Sequence, residues 1–174
     1  HRYIGEKQFL KIKYKNSNYS FTLDLIGKIQ IKNLLMAILA AKNKNLKFKK
    51  IIKILHKIKP INGRLEKVGK LKNNAICILD YAHTPDALEI SLKSLKEQFN
   101  EKKISLVIGC GGNRDRSKRP IIGNIANKYC DKIYLTNDNP RGEVPENIIR
   151  DIREGIPGAY FCELDRAKAI KDAI

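Results

Sequence analysis

The sequence predicts an α/β fold: a mostly parallel sheet flanked by helices, preceded by an antiparallel hairpin and two helices. Three observations carry that prediction. From residue 75 onward, short apolar runs alternate with stretches of helical period, the signature of βαβ units and a parallel sheet. Each run ends in a polar or glycine-bearing cluster. Before residue 60 the pattern differs: two alternating runs and then two helical stripes.

In chain order, residues 7–14 and 18–25 alternate loosely around Asn16-Ser17-Asn18, a hairpin signal ended by Gly27. Ile31, Leu34, Leu35, Ile38 and Leu39 fall at i, i+3, i+4, i+7 and i+8, an amphipathic helix. After the turn Asn43-Lys44-Asn45, a second stripe joins Phe48, Ile51, Ile52, Leu55 and Ile58, with His56 on its solvent flank. Lys59-Pro60-Ile61-Asn62-Gly63 stops that helix and marks the domain boundary, giving segments 1–60 and 61–174.

Beyond the boundary, Ala75 to Leu79 reads as a strand ending in Asp80. Thr84 caps a helix with Pro85 at its first position and Asp86 in its first turn. Leu88, Leu92, Leu95 and Phe99 form that helix's core stripe. Residues 103–109 form a strand and 118–130 a helix. Residues 133–136 form a strand, and Pro145 opens a helix carrying Ile148, Ile149 and Ile152, closed by Gly155. A strand over 160–164 and a last helix follow.

Ligands on such sheets sit beyond the carboxyl ends of the strands. Three clusters occupy that position: Asp80 to Thr84, Gly109 to Arg119, and Asn137 to Arg141. They are expected to share one rim. In the second, glycines permit positive φ and inward N–H groups, an anion nest, and Arg114, Arg116, Lys118 and Arg119 add four cations in six residues. A plain tight βα turn is the competing reading, and the G-x-x-x-x-G-K-[ST] spacing of a Walker A loop is absent. Asp80 suits either a ribose diol or a turn. His83 has no visible Ser or Cys to activate, so a local hydrogen bond is expected of it. Asp138, Asn139 and Arg141 suit a zwitterionic amino acid, Arg for the carboxylate and Asp for the ammonium, or a plain Asn-Pro turn.

The formal charge of +17 is lopsided: residues 1–72 carry 19 Lys or Arg against 3 Asp or Glu, and residues 73–174 carry 16 against 15. A basic half invites a nucleic-acid reading. Here the excess is mostly Lys beside Ile and Asn, scattered over strand and helix faces with sparse aromatics, so compositional drift is favoured and no nucleic-acid partner is expected. No apolar run approaches the ~18 residues of a membrane span, so no membrane is expected either. The polar, basic start is no signal peptide. Cys77, Cys110, Cys130 and Cys162 form no C-x-x-C pair and read as buried free thiols in a reducing cytoplasm, not as a zinc site. The chain begins at His1 and its last helix lacks a capping glycine, so it reads as a piece of something longer.

Taken together, INGRLEKV, LDYAHTPDALE, GCGGNRDRSKRP and TNDNPRGE, in this order and spacing, resemble the Mur ligase family, in particular its branch that adds the third residue of the peptidoglycan stem peptide. IGKIQIKNLLMAILA is similar to the end of that family's central ATPase domain. The resemblance covers residues 27 to 155. It implies a Rossmann-like carboxyl-terminal domain, truncated at its end, preceded by the tail of the ATPase domain. It implies an ATP-dependent, ADP-forming amide ligase that joins meso-diaminopimelate to UDP-MurNAc-L-Ala-D-Glu through an acyl phosphate. By motif match, Asn33, Arg64 and Asp80 are implied to bind ATP, and Arg114, Asp138, Asn139 and Arg141 to bind diaminopimelate. Arg141, of the DNPR form, is the specificity residue, since lysine-adding relatives lack it. Lys118 and Arg119, of KRP, are assigned only to the helix start and the local field. Gln30 stands where family members carry Asn.

The P-loop, the magnesium ligands, the carbamylated lysine and the glycine-histidine-glutamate segment of the family are absent from these residues. Magnesium is therefore an implied cofactor with ligands elsewhere, and the chain alone is expected to be inactive. A monomer in the cytoplasm is expected. The rival readings are another Mur-type ligase, lysine-adding or folylpolyglutamate-like, and a basic nucleic-acid-binding module.

Overall fold

The computed structural model describes residues 1–174. The chain forms two compact units: residues 1–81 with 94–100, and residues 82–93 with 101–174.

The first unit opens with an antiparallel sheet of β1 (Arg2–Ile4), β2 (Lys7–Tyr14) and β3 (Ser17–Leu23), in that order. The β2–β3 pairing runs from Gln8↔Leu23 to Tyr14↔Ser17, so the turn is Lys15-Asn16. That turn is one residue earlier than the asparagine cluster suggested, with Lys15 left-handed at φ 51. Helix α1 (Lys28–Asn43) buries Ile31, Leu34 and Ile38. Helix α2 (Phe48–Ile54) buries Ile51, and a single 3-10 turn, Leu55–Lys57, buries Leu55. These side chains close one core with Leu10, Leu23 and Leu25. Leu35 and Leu39, expected in the stripe, are 37% and 55% exposed. The buried stripe is thus narrower than the apolar periodicity.

Two buried amides tie this unit together. The Gln8 side-chain nitrogen donates to the Leu25 and Gly27 carbonyls at 2.7 and 3.1 Å. The Gly27 N–H donates to Gln98 Oε1 at 2.9 Å, and Gln98 Nε2 donates to the Glu6 carbonyl at 3.1 Å.

The strands β4 (Glu66–Lys70) and β5 (Ile76–Leu79) pair antiparallel as a two-stranded ribbon. This corrects the expectation that residues 75–79 join the parallel sheet. Helix α3 (Pro85–Gln98) follows, with its residues 94–98 in the first unit and its earlier turns in the second. Thr84 Oγ1 accepts from the Ala87 N–H at 3.3 Å, the predicted cap.

The second unit holds a parallel sheet of β6 (Ser105–Ile108), β7 (Lys132–Leu135) and β8 (Phe161–Cys162), with β7 central. Helices α4 (Lys118–Tyr129), α5 (Pro145–Arg153) and α6 (Arg166–Ala173) alternate with the strands. Ile133 and Leu135 point to one face, as a two-residue period requires. There they join Ile122, Ile125 and Ala126 of α4, Ile148, Ile149 and Ile152 of α5, and Leu88 and Leu92 of α3. Helix α6 packs on β6 and β7. Of the four cysteines only Cys110 is buried; Cys162 is exposed, a correction to the buried-thiol expectation. No helix is long and apolar enough to cross a membrane.

Candidate functional site

Strands β6 and β7 are neighbours, so the loops leaving their carboxyl ends, residues 109–117 and 136–144, lie side by side. One rim therefore carries the second and third predicted clusters. Strand β5, which leads into the first cluster, pairs in the ribbon and not in this sheet.

The loops interlock through backbone. An added Cβ on Gly109 would meet the Thr136 carbonyl oxygen at 2.3 Å, and one on Gly112 would meet the Pro140 carbonyl oxygen at 1.8 Å. The Gly112 N–H donates to the Asn139 carbonyl at 2.8 Å. Neither Gly109, Gly111 nor Gly112 has positive φ. The expected anion nest of left-handed glycines is thus replaced by a different cause: these glycines let one loop lie against the other. The left-handed residues here are Asn113, at φ 52, and Arg141, at φ 50. Non-glycine residues hold such backbone only where surroundings impose it.

Arg114 and Arg141 both lie beside Gly111: the position of its missing Cβ is 2.7 Å from Arg141 Nη1 and 3.9 Å from Arg114 Cγ. Arg141 Nη1 donates to the Gly112 carbonyl at 2.9 Å and to the Asn139 carbonyl at 3.4 Å. Both bonds use one nitrogen, which aims the fork. Arg114, Asp138, Asn139 and Arg141 are all exposed. The two loops thus present two guanidiniums, a carboxylate and an amide to solvent, a set matched to a ligand carrying both carboxylate and ammonium groups.

Beneath them lies an arrangement the residue pattern did not disclose. Arg119, expected only to contribute field, is fully buried (0% exposed). Its Nη1 donates to Glu143 Oε2 at 3.0 Å and Asp151 Oδ2 at 2.8 Å; its Nη2 donates to Glu143 Oε1 at 2.9 Å and the Gly111 carbonyl at 3.4 Å. Glu143 Oε1 also accepts the Asn113 N–H at 2.6 Å, and Arg116 Nη2 lies 3.1 Å from Glu143 Oε2. Hydrogen bonds from Arg119, then the Asn113 N–H, hold the Glu143 carboxyl down at about 2. The same carboxylates push the Arg119 pKa up, Glu143 foremost. The available signal was position: Arg119 lies at i, i+3 and i+7 with Ile122 and Ala126 on the buried face of α4.

Other local groups are simpler. Asp115 accepts from the Ser117 hydroxyl and N–H, which lower its pKa. Burial pushes the Cys110 thiol up, against the pull of Lys118 and Arg119. Lys118 Nζ donates to the His83 carbonyl at 2.9 Å.

The predicted nucleotide-side residues gather in the first unit. Asp80 Oδ2 accepts the Leu65 N–H at 2.7 Å, and the Tyr81 N–H donates to the Gly63 carbonyl at 2.8 Å. The Arg64 guanidinium lies 5.2 Å from the Tyr81 ring centroid. Gln30 Nε2 donates to the Arg64 carbonyl at 3.2 Å, and Asn33 Nδ2 donates to Gln30 Oε1 at 3.4 Å. Asn33, Arg64 and Asp80, far apart in sequence, are thus linked through Gln30 and Leu65. Asn33 and Arg64 are exposed.

Comparison with known proteins gives a consistent pattern. The family profile described as Mur ligase, glutamate ligase domain, matches residues 63–174. The chain is 41% identical over 169 residues to the UDP-N-acetylmuramoyl-L-alanyl-D-glutamate–2,6-diaminopimelate ligase of Rickettsia felis, covering 96% of this chain and 31% of that protein. It is 47% identical over 167 residues to the ligase of the same name from Aquifex aeolicus, covering 95% and 34%. A solved structure of a ligase of that name superposes with a TM-score of 0.64 at 32% identity, covering 94% of this chain and 34% of that one. The folylpolyglutamate synthase of Thermotoga maritima superposes with a TM-score of 0.68 at 26% identity, covering 88% and 36%. The chain therefore spans about a third of the length of the relatives it matches.

Proposed function

The chain belongs to the Mur ligase family, and from that premise we propose that it is part of an ATP-dependent amide ligase adding meso-diaminopimelate to UDP-MurNAc-L-Ala-D-Glu. Residues 1–60 are the tail of the central ATPase domain, and residues 61–174 belong to the carboxyl-terminal domain. The observation that carries the substrate assignment is the rim of the second unit, where Arg114 and Arg141 both lie beside Gly111, with Asp138 and Asn139 on the adjoining turn.

Diaminopimelate has two amino-acid ends. Arg141, aimed by its two carbonyl bonds, takes the carboxylate of the distal end bidentately, and Asp138 takes an ammonium. Arg114 and Asn139 hold the remaining polar groups. The chemistry is positioning: the incoming amine is brought to an acyl phosphate that ATP has formed on the stem-peptide carboxylate, and phosphate leaves. In the first unit, Asp80 accepts from the ribose, Arg64 reaches the phosphates and Asn33 lies beside the adenine. Magnesium is expected to be held by residues outside this chain, and no step is assigned to it on these residues. The working protein is a cytoplasmic monomer, and residues 1–174 alone do not ligate.

The test is acceptor choice in the full-length protein. Wild type is expected to release phosphate with diaminopimelate and not with lysine. Arg141→Ala should lose on the order of a hundredfold in kcat/KM for diaminopimelate, as expected for a misheld substrate. Equal use of both amino acids by wild type would refute the assignment and favour a lysine-adding or other Mur-type ligase.

A further inference from the structure

We propose that Arg119 and Glu143 are positioning residues for the amino-acid site: a buried brace that fixes the backbone from which Arg114 and Arg141 project. The proposal rests on the assignment of those two arginines to amino-acid binding. It goes beyond that assignment by giving the pocket's geometry to two residues that touch no substrate.

The geometry is specific. Glu143 follows Arg141 by two residues, and its Oε1 accepts the N–H of Asn113, the residue before Arg114, at 2.6 Å. One carboxylate thus joins the two loops within two residues of each site arginine. Asn113 and Arg141 are the two left-handed non-glycine residues of these loops. Their conformation needs an external hold, and Glu143 supplies it for Asn113. Glu143 in turn is gripped by both terminal nitrogens of Arg119, at 2.9 and 3.0 Å. Arg119 also reaches the Gly111 carbonyl at 3.4 Å, on the residue beside which both site arginines lie. Asp151, on α5, takes the outer side of Nη1 at 2.8 Å and anchors the fork to the helix layer. A fork of this shape needs a guanidinium; the single ammonium of lysine cannot span both Glu143 oxygens and the Gly111 carbonyl.

The roles separate by contact. Glu143 and Arg119 bond to the loops, whereas the Asp151 carboxylate hydrogen-bonds only to Arg119. Glu143→Gln keeps an oxygen for the Asn113 N–H but turns an amide NH2 toward the Arg119 fork, breaking its two-oxygen grip; losing Asp151 loosens the anchor and leaves the fork on Glu143 in place.

The experiment uses the full-length ligase and four proteins: wild type, Arg119→Lys, Glu143→Gln and Asp151→Asn. Initial rates give KM for the amino acid and for ATP separately, and thermal melts give stability. Arg119→Lys and Glu143→Gln are expected to raise KM for diaminopimelate by about tenfold or more, with KM for ATP within about twofold. Asp151→Asn should lower the melting temperature with little change in either KM. The proposal is overturned if Asp151→Asn raises the amino-acid KM as much as Glu143→Gln does. It is also overturned if both KM values rise together, or if Arg119→Lys and Glu143→Gln change melting alone. Failure of both loop-contacting variants to fold would make the brace a folding element and overturn it too. If wild type prefers lysine, the substrate reading falls, and the same comparison is made with lysine.

Discussion

Gly112→Ala should open the site without removing any functional group. The added Cβ would sit 1.8 Å from the Pro140 carbonyl oxygen and 2.6 Å from its carbon. A carbon–oxygen contact needs roughly 3.2 Å, so the loops must part by more than 1 Å, and both sides are backbone, with no side-chain end to swing aside. The separation stretches the Gly112 N–H bond to the Asn139 carbonyl, at 2.8 Å, and the Arg141 bond to the Gly112 carbonyl, at 2.9 Å. At about 1 kcal/mol net per hydrogen bond, plus about 1–3 kcal/mol for overpacking, the loss is roughly 3–5 kcal/mol. For 150–250 residues each kcal/mol lowers Tm by about 2–4 °C, so the fall is on the order of 10 °C. Arg141 moves with its anchors, and kcat/KM for the amino acid should drop on the order of a hundredfold. Circular-dichroism melts with a kinetic assay of the full-length protein read both effects. Gly69→Ala is the control, since no atom lies within 4 Å of its added Cβ. A Gly112→Ala protein melting within about 2 °C of wild type, with unchanged amino-acid kinetics, would refute the interlocked-loop account.

Other expectations follow from single contacts. Because the Glu143 carboxyl is held at about 2 against an ordinary 4.5, its contribution is full above the ordinary value and lost as pH falls toward 2; the stability gap between wild type and Arg119→Gln, from urea titrations, should be wide at pH 7 and narrow by pH 3, and an unchanged gap would refute the pairing. Gln98→Leu orphans the Gly27 N–H and the Glu6 carbonyl; with about 1–3 kcal/mol per stranded group, it should melt several degrees lower, and a neutral result would count against the buried amide relay. Asp80→Ala should lower stability even without nucleotide, by about 1–3 kcal/mol, because the Leu65 N–H loses its acceptor; Asp80→Asn keeps an acceptor and should recover most of that loss in the same melts.

What the sequence disclosed was whatever a local period or a capping residue can encode. The hairpin, the helices beginning at Pro85, Lys118 and Pro145, and the buried Ile122, Ile125, Ile148, Ile149 and Ile152 follow from periods of 2 and 3.6 residues. Strand pairing is not a local property, and so β5 was misplaced: nothing within residues 75–79 distinguishes a partner on β4 from one on β6. Strand β1 was missed because three residues are too few to show alternation; Gly5, left-handed at φ 57, is its remaining trace. Leu35 and Leu39 have the periodicity of core and yet are exposed. Period places residues on a face but does not fix how wide a stripe the neighbouring sheet covers.

The candidate rim shows the same division more sharply. The identities of Arg114, Asp138, Asn139 and Arg141 are legible because polar residues just beyond a strand's carboxyl end have one place to go. Why they are held there is not legible, because the cause is non-local. The glycines of GCGG suggest unusual torsions when read alone, and their torsions are ordinary; what they accommodate is another loop, some thirty residues on. Arg119 has its partners 24 and 32 residues away, so its sequence neighbours suggest only a basic helix start. A charge buried with two carboxylates is a costly way to gain stability, since apolar residues of similar volume do as well or better. Its worth here is directional: a guanidinium fork fixes angles that an apolar contact leaves soft, and it does so at the two loops whose angles set the distance between Arg114 and Arg141.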